Sequence, residues 1–316
     1  MHRLEERLAG WRASHSGLAA VIGWMLALAG FASFAFSMAD GIARDGGLAY
    51  DFHAFWLAGR HVLSGEPLYA VGGIGDPGAF RYVPTFGILM APLSLIPELP
   101  ITWVYRAVAV LCLRYLVGSW RAVGWSLLFP PVSIELSALN VTLPIAAAGR
   151  WALRGDPPSA GTLPAASALK VGSVMLGAFV WFRRSQSRRY LVLGILGTAA
   201  LLVVHVALDL GGWAAFLASL GQQAESINHA PYVGGQLLVL VPSTLGDFLL
   251  RLGIAGLLTV IAVRRGWGWL AFAAATLAVP TLWLARLAPL VAVPRLWYEE
   301  RRASLPAGLP VDDAPG

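Results

Sequence analysis

Apolar residues fall along this chain in runs of about 20, parted by short polar or proline-marked breaks, and a run of that length is what a helix needs to cross ~30 Å of hydrocarbon. The cleanest runs are 18–38, 101–118, 162–182 and 190–210. Region 124–153 is interrupted by Pro130-Pro131, Glu135, Asn140 and Pro144, 236–263 by Pro242 and Asp247, and 268–294 by Pro280 and Pro289. A β-barrel would show short alternating strands instead. The pattern predicts an all-α polytopic membrane protein, a single transmembrane domain over 1–294 with about ten transmembrane helices. The tail 295–316, ending SLPAGLPVDDAPG, reads as a disordered cytoplasmic extension.

One stretch breaks the apolar rhythm with chemistry. From Asp51 to Ser64 the spacing of Phe52, Phe55, Trp56, Leu57 and Val62 predicts an amphipathic helix lying in the membrane interface, with its aromatics at headgroup level. Gly65 and Pro67 stop it, and a glycine-rich loop follows. Pro84 to Pro97 is a short apolar segment closed by a Pro-Glu-Leu-Pro turn.

Composition agrees: 57% of the 316 residues are hydrophobic and 13% charged, about half the charge of an ordinary soluble domain. A net charge of +6 would suggest nucleic acid in a soluble protein. Here the arginines cluster at the ends of apolar runs, where they set orientation and meet anionic lipid. Segment 183–189, RRSQSRR, carries four arginines and no acid, which places it in the cytoplasm. An uncleaved first helix with a cytoplasmic N-terminus puts loop 39–83 outside, and loop 211–235 reads as external too. An external 39–83 and a cytoplasmic 183–189 need an odd number of crossings between them. Counting 84–97 and 162–182 as crossings, and splitting 124–153 at Pro130–Asn140, gives five; a re-entrant pair there would also satisfy the parity. The expected setting is the plasma (inner) membrane. The lone Cys112 lies in an apolar run, excludes an intrachain disulfide and packs as a small hydrophobe.

Several residues have chemical potential beyond packing. Asp51, among aromatics at a membrane surface, is a candidate general base and equally a helix N-cap. His53 suits phosphate binding or proton transfer, or interfacial packing. Arg60 and Arg81 suit a lipid phosphate, because a guanidinium fork matches phosphate oxygens, or snorkel at the interface. Lys170, the only lysine, sits mid-run and needs a cavity or counter-ion, with Glu135 the first candidate partner. Asp247 and Arg251 are four apart and pair on one helical face. Gln222, Gln223, Glu225, Asn228, His229 and Tyr232 form a polar cluster suited to an acceptor or simply to solvent. No metal-ligand spacing, P-loop, Ser–His–Asp arrangement or dinucleotide fingerprint appears, so no cofactor is predicted and metal use stays open.

The stretch Tyr50–Pro97 resembles the GT-C class of integral-membrane glycosyltransferases, most of all family 87, the DUF2029 group of polyprenyl-phosphate-mannose-dependent α-mannosyltransferases. The matching residues are Asp51-Phe52 with Trp56, Gly65-x-Pro67-Leu68-Tyr69, Phe80-x-Tyr82-x-Pro84, Ala91-Pro92-Leu93 and Pro97. Asn140, Lys170 and Asn228 match more loosely. The resemblance implies a GT-C-like bundle with an external first loop carrying the catalytic residue. It implies inverting transfer of a sugar, mannose in the family, from a polyprenyl-phosphate donor to a glycan or glycolipid acceptor. Asp51 is then the base. Lys170, Arg81, Arg60 and Arg286 are the cations available to the departing phosphate, Lys170 and Arg81 first. His53, Trp56, Tyr69, Tyr82, Asn140 and Asn228 line the site. A lipid-linked sugar flippase or transporter, and a non-catalytic protein on the same fold, remain the alternatives.

Overall fold

A computed structural model describes residues 16–45, 49–69, 79–229, 244–279 and 284–304. These are helical wherever they are regular. The α-helices are α1 (Ser16–Asp45), α2 (Tyr50–Ser64), α3 (Pro84–Met90), α4 (Glu98–Val117), α5 (Trp120–Leu127), α6 (Pro130–Ala138) and α7 (Thr142–Arg154). They continue with α8 (Leu163–Leu169), α9 (Ser173–Arg183), α10 (Arg188–Leu208), α11 (Leu210–His229), α12 (Thr244–Arg265), α13 (Gly268–Leu277) and α14 (Val293–Ala303). A 3-10 segment, Leu284–Ala292, precedes α14. Among the described residues, four helices are long and apolar enough to cross a membrane, or five if the bent pair α6–α7 counts as one span. Their faces carry many exposed Leu, Ile, Val and Trp side chains, as a hydrocarbon surround requires and water would not tolerate on this scale.

The two ends of the bundle differ in chemistry. At one end, α4 begins with Glu98 accepting a hydrogen bond from His53 of α2 at 2.8 Å. At its other end the Tyr115 carbonyl accepts from Arg295 of α14 at 2.9 Å. Twenty residues of helix separate these contacts, roughly 30 Å at 1.5 Å per residue. The second end gathers arginines. Arg150 pairs with Glu299 at 2.6 Å and Arg154 with Glu300 at 3.2 Å. Arg184 donates to the carbonyls of Ala152 and Gly155 at 2.5 and 2.8 Å. Helix α10 likewise starts beside Arg184 and ends with His205 hydrogen-bonded to Thr85 of α3 at 2.7 Å. The Asp51 end and the 183–189 end are therefore opposite, as the charge pattern predicts.

The number of crossings between them is smaller than the sequence suggests. Segment 84–97 is not a crossing: α3 and the turn after it stay against α2, held by a 3.0 Å hydrogen bond from Trp56 Nε1 to the Ile96 carbonyl. Segment 162–182 is not one either. It is two short helices, α8 and α9, broken at Lys170, whose backbone is extended (φ −142°, ψ 109°). Arg184, just after α9, bonds the Ala152 and Gly155 carbonyls that precede α8, so this hairpin leaves and returns to the arginine end. Between α2 and 183–189 the helix long and apolar enough to cross is α4, with the bent pair α6–α7 as a broken span or re-entrant loop. About ten spans are not what the described residues provide. Two loop assignments also change. Residues 211–229 continue as helix α11, and 295–303 belong to α14, where Pro294 in the first turn starts the helix rather than breaking the chain. Residues 70–78, 230–243 and 305–316 lie outside the described set.

Helix α1 packs almost only on α5, running in the same direction. A Cβ added at Gly124 would lie 2.6 Å from the Ala27 backbone, and one at Gly30 would lie 1.9 Å from the Gly124 carbonyl oxygen. Small residues set this contact by letting two backbones meet. Gly124→Val is expected to lower stability by about 1–3 kcal/mol through overpacking, read as a drop in the thermal midpoint in detergent. Gly177→Val, with nothing within 4 Å of its added Cβ, should leave the midpoint in place.

Candidate functional site

Asp51 sits in the first turn of α2, where the helix dipole favours a carboxylate. The N-cap position itself is taken by Ala49, so the capping role expected as an alternative is not the one Asp51 fills. Its Oδ2 accepts a hydrogen bond from Asn140 Nδ2 at 2.7 Å. Asn140 lies in the turn between α6 and α7, which bends the chain by 113°. Leu139 just before it closes α6 in the left-handed region at φ 56°, a conformation costing roughly 1–2 kcal/mol for a residue with a Cβ. The buried Leu139 side chain and the Asn140 hydrogen bonds hold it there.

Asn140 is a hub. Its Oδ1 accepts from Tyr82 Oη at 2.9 Å and from the Val141 N–H at 2.7 Å, and its carbonyl accepts from Tyr105 Oη at 3.4 Å. Tyr69 donates to the Tyr82 carbonyl at 2.7 Å. Burial pushes the Tyr69 and Tyr82 hydroxyls well above the usual phenol range, so both remain protonated donors. Phe55 packs edge-on against Tyr82, and Phe52 stacks on Tyr105. Asn140→Leu would remove the Asp51 tether and leave the Tyr82 hydroxyl without its acceptor, a loss of about 1–3 kcal/mol. Tyr82→Phe removes only a donor, while Asn140 Oδ1 keeps the Val141 bond, and should cost about 1 kcal/mol. Thermal midpoints of the two variants should fall in that order.

Below this hub three hairpins converge. The α6–α7 turn brings Glu135, Asn140 and Thr142. The α8–α9 break brings Lys170 and Ser173. Helix α13 and the 3-10 segment after it bring Thr276 and Arg286. All but Glu135 and Asn140 line one narrow cleft, whose remaining wall is apolar and includes Ile145, Leu176, Phe272 and Val279. The backbones meet closely here: a Cβ on Gly172 would lie 2.1 Å from the Ala275 carbonyl oxygen. Lys170 donates a short hydrogen bond to Thr142 Oγ1, and Glu135 Oε1 accepts the Thr142 N–H at 2.9 Å. Thr142 thus stands between Lys170 and the partner the sequence suggests for it. Lys170 lies in the fields of Arg286, Glu135 and Asp51 together.

The structure brings together Asp51, Tyr82, Asn140, Lys170 and Arg286 among the predicted site residues, with Tyr69 behind Tyr82. It does not bring in Arg60, which lies 5.7 Å over the Trp56 ring on the exposed side of α2. Arg81 shares no hydrogen bond or ion pair with the cluster, although its Nη2 is buried without a hydrogen-bond partner. His53 and Trp56 anchor α2 to the start of α4 and the turn before it. Asn228 falls in α11, where only the backbone is described. Asp247 and Arg251 pair with each other, as their spacing predicts. Thr142 and Tyr105 are the additions. Glu98, Thr102 and Tyr105 recur at four and three residues along one α4 face, the signal that would have singled out Tyr105. Among the described residues no three His, Cys, Asp or Glu side chains gather as a metal site.

No family model matches the chain, and no curated protein or solved structure is significantly similar to it.

Proposed function

We propose that the chain is a membrane glycosyltransferase that moves a sugar from a polyprenyl-phosphate donor to a hydroxyl on a glycan or glycolipid. The observation that carries this reading is the pairing of a positioned carboxylate with a cationic cleft. Asn140 holds one oxygen of Asp51, and Oδ1 takes no hydrogen bond from the described residues. Lys170 and Arg286 arrive from two different hairpins into one cleft, and Lys170 lies within the field of that carboxylate.

In this mechanism the acceptor hydroxyl attacks the anomeric carbon and its proton passes to Asp51. The bond from that carbon to the phosphate oxygen breaks, its electron pair leaves with polyprenyl phosphate, and the anomeric configuration inverts. A base within reach of the hydroxyl and fixed positive charge at the leaving oxygen are the two demands of such a step. Arg286 supplies the second, with the Lys170 amine beside it as a hydrogen-bond donor, in place of the Lys170–Arg81 pair that the sequence ranks first. The apolar cleft wall suits the first isoprene units of the donor. The Asp51 end faces outside and the arginine end the cytoplasm, because the arginine excess marks the cytoplasmic face.

The test is transfer of labelled mannose from polyprenyl-phosphate mannose in membranes containing the protein, with glucose and arabinose donors in parallel. Product with any of these donors supports the reading; none with all three overturns it. The broken hairpins meeting around buried charge favour one rival, a lipid-linked sugar transporter, since half-helices around a midplane site are a transporter device. Movement of an unaltered labelled donor across proteoliposomes, without product, would favour that rival.

A further inference from the structure

Helix α10 is exposed along almost its whole length: only Leu191 and His205 are buried in it. Leu191 lies near the arginine end, where a Cβ on Gly194 would come 2.4 Å from the Gly161 carbonyl oxygen. His205 lies at the opposite, Asp51 end. A polar side chain buried at the end of an outward-facing helix has to be satisfied from inside the bundle. Its partner there is Thr85, 5% exposed, whose hydroxyl lies 2.7 Å from Nδ1. Asp209 Oδ2 stands 3.9 Å from Nε2. Its charge favours the ring proton on that side, which leaves Nδ1 to accept from the Thr85 hydroxyl. Asp209 Oδ1 accepts the Gly212 N–H of α11 at 2.8 Å, and the Trp213 ring stands edge-on to the imidazole at 6.1 Å.

Thr85 is placed to pass this anchor on to the candidate site. It sits in the first turn of α3, three residues after Tyr82 and next to Phe86. The Phe86 ring lies 5.2 Å from the Tyr82 ring and 5.1 Å from that of Phe55 on α2. Segment 80–86 is thus held by two elements. Phe55 holds it from α2. The α10–α11 corner holds it by His205 on Thr85, and by the Phe216 ring 5.8 Å from Tyr69, whose hydroxyl donates to the Tyr82 carbonyl. What the two grips fix is the Tyr82 hydroxyl on Asn140, and Asn140 in turn carries Asp51. Ring contacts alone let a side chain slide along its neighbour, whereas a hydrogen bond between buried groups has a preferred length and direction.

We propose that His205 is a positioning residue of the transfer site: through Thr85 it fixes segment 82–85, keeps the Tyr82 hydroxyl on Asn140, and so aims the Asp51 carboxylate. The inference rests on the transfer reading above for its effect on rate, and not for its effect on Tyr82. His205 touches neither sugar nor phosphate and moves no proton in the reaction. Its role makes the outward-facing α10–α11 corner part of the apparatus that orients the base.

The full-length protein is labelled with 3-fluorotyrosine, whose fluorine beside the hydroxyl registers the hydrogen bond that the hydroxyl makes, and its fluorine NMR spectrum is recorded in detergent. The Tyr82 signal is the one lost in Tyr82→Phe, and the Tyr115 signal, from the arginine end, the one lost in Tyr115→Phe. Thr85→Val keeps the branching of the side chain and removes the hydroxyl. It should shift or broaden the Tyr82 signal and leave that of Tyr115 in place. His205→Phe should do the same, and Thr85→Ser should restore the parent position. In membranes, kcat for sugar transfer should fall roughly ten- to a hundred-fold in Thr85→Val, the effect of a small misplacement of a reacting group. KM for the donor should stay unchanged, and Thr85→Ser should stay near the parent. A Tyr82 signal unmoved in both Thr85→Val and His205→Phe, equal movement of the Tyr115 signal, or a parent-like kcat in Thr85→Val would overturn the positioning role. A parent protein that transfers no sugar would instead overturn the transfer reading, and the fluorine signals would still decide whether His205 fixes Tyr82.

Discussion

Asp51→Asn should abolish most sugar transfer while leaving the protein folded. The amide keeps the size of the carboxylate and can still accept from Asn140 Nδ2, so the hydrogen bond seen at 2.7 Å survives. What it loses is basicity at the free oxygen. A positioned general base contributes roughly a hundred- to ten-thousand-fold, and the rate of labelled-sugar transfer in membranes should fall within that range. The thermal midpoint should barely move, because Asp51 makes one tether at the edge of α2 and is not buried. Full activity in Asp51→Asn would end its assignment as the base. A fall in rate with an equal fall in stability would instead make Asp51 a structural residue. Lys170→Met offers a contrast. It removes the donor proposed for the leaving group and also the donor to Thr142, so rate and stability should both decline.

The largest effect on stability should come from elsewhere. Asp247 and Arg251, one turn apart on α12, are 3% and 2% exposed. The guanidinium also donates to the Val279 carbonyl at 2.8 Å, at the upper end of α13. The pair therefore joins α12 to the hairpin that carries Arg286. Asp247→Ala strips the carboxylate from a buried guanidinium, and removing one partner of a buried pair costs about 3–5 kcal/mol. Such a loss is a large part of a typical total stability. The variant should express poorly or melt far below the parent in detergent. Replacing both residues by Leu and Met should recover much of the loss, because no unpaired charge is then left in the interior. Failure of the double variant to recover would mean that the Val279 contact, rather than charge pairing, holds the hairpin.

Local features were the most legible in the sequence. The apolar spacing over 51–64 and the stop at Gly65 foretell α2, and Gly65 does sit at φ 73° as a left-handed cap. The arginine run at 183–189 marks one end of the bundle because charge at the end of an apolar run has few other places to go. Lys170 announces itself as a problem to be solved, but the solution is not local. The run from 162 to 182, apolar but for Lys170, reads as a span, and only the cost of that charge, with Gly172 just after it, hints at a break. That Arg286 and Lys170 share a cleft depends on two hairpins far apart in the chain, and no periodicity records such a meeting. The same is true of Arg60 and Arg81, near Asp51 in sequence yet outside its cluster. In the opposite direction, the polar composition of 211–229 suggests a loop where the chain is helical, and 295–303, read as part of a disordered tail, forms a helix held by the ion pairs of Glu299 and Glu300.

The hairpin α8–α9 rises from the arginine end and turns back at Lys170 after only seven residues, roughly 10 Å of helix. The full-length helices around it are about three times as long. With the bilayer along the axis of α4, the charged tips lie part way across the low-dielectric layer, and the membrane voltage drops on both sides of them. Moving one charge through the whole layer is worth about 2.3 kcal/mol per 100 mV. Under the proposed transfer, a phosphate drawn down to Lys170 and Arg286 would travel through a fraction of that drop, and its occupancy would depend on the potential of the membrane that houses it, a dependence that a voltage-clamped bilayer would register and that detergent would hide.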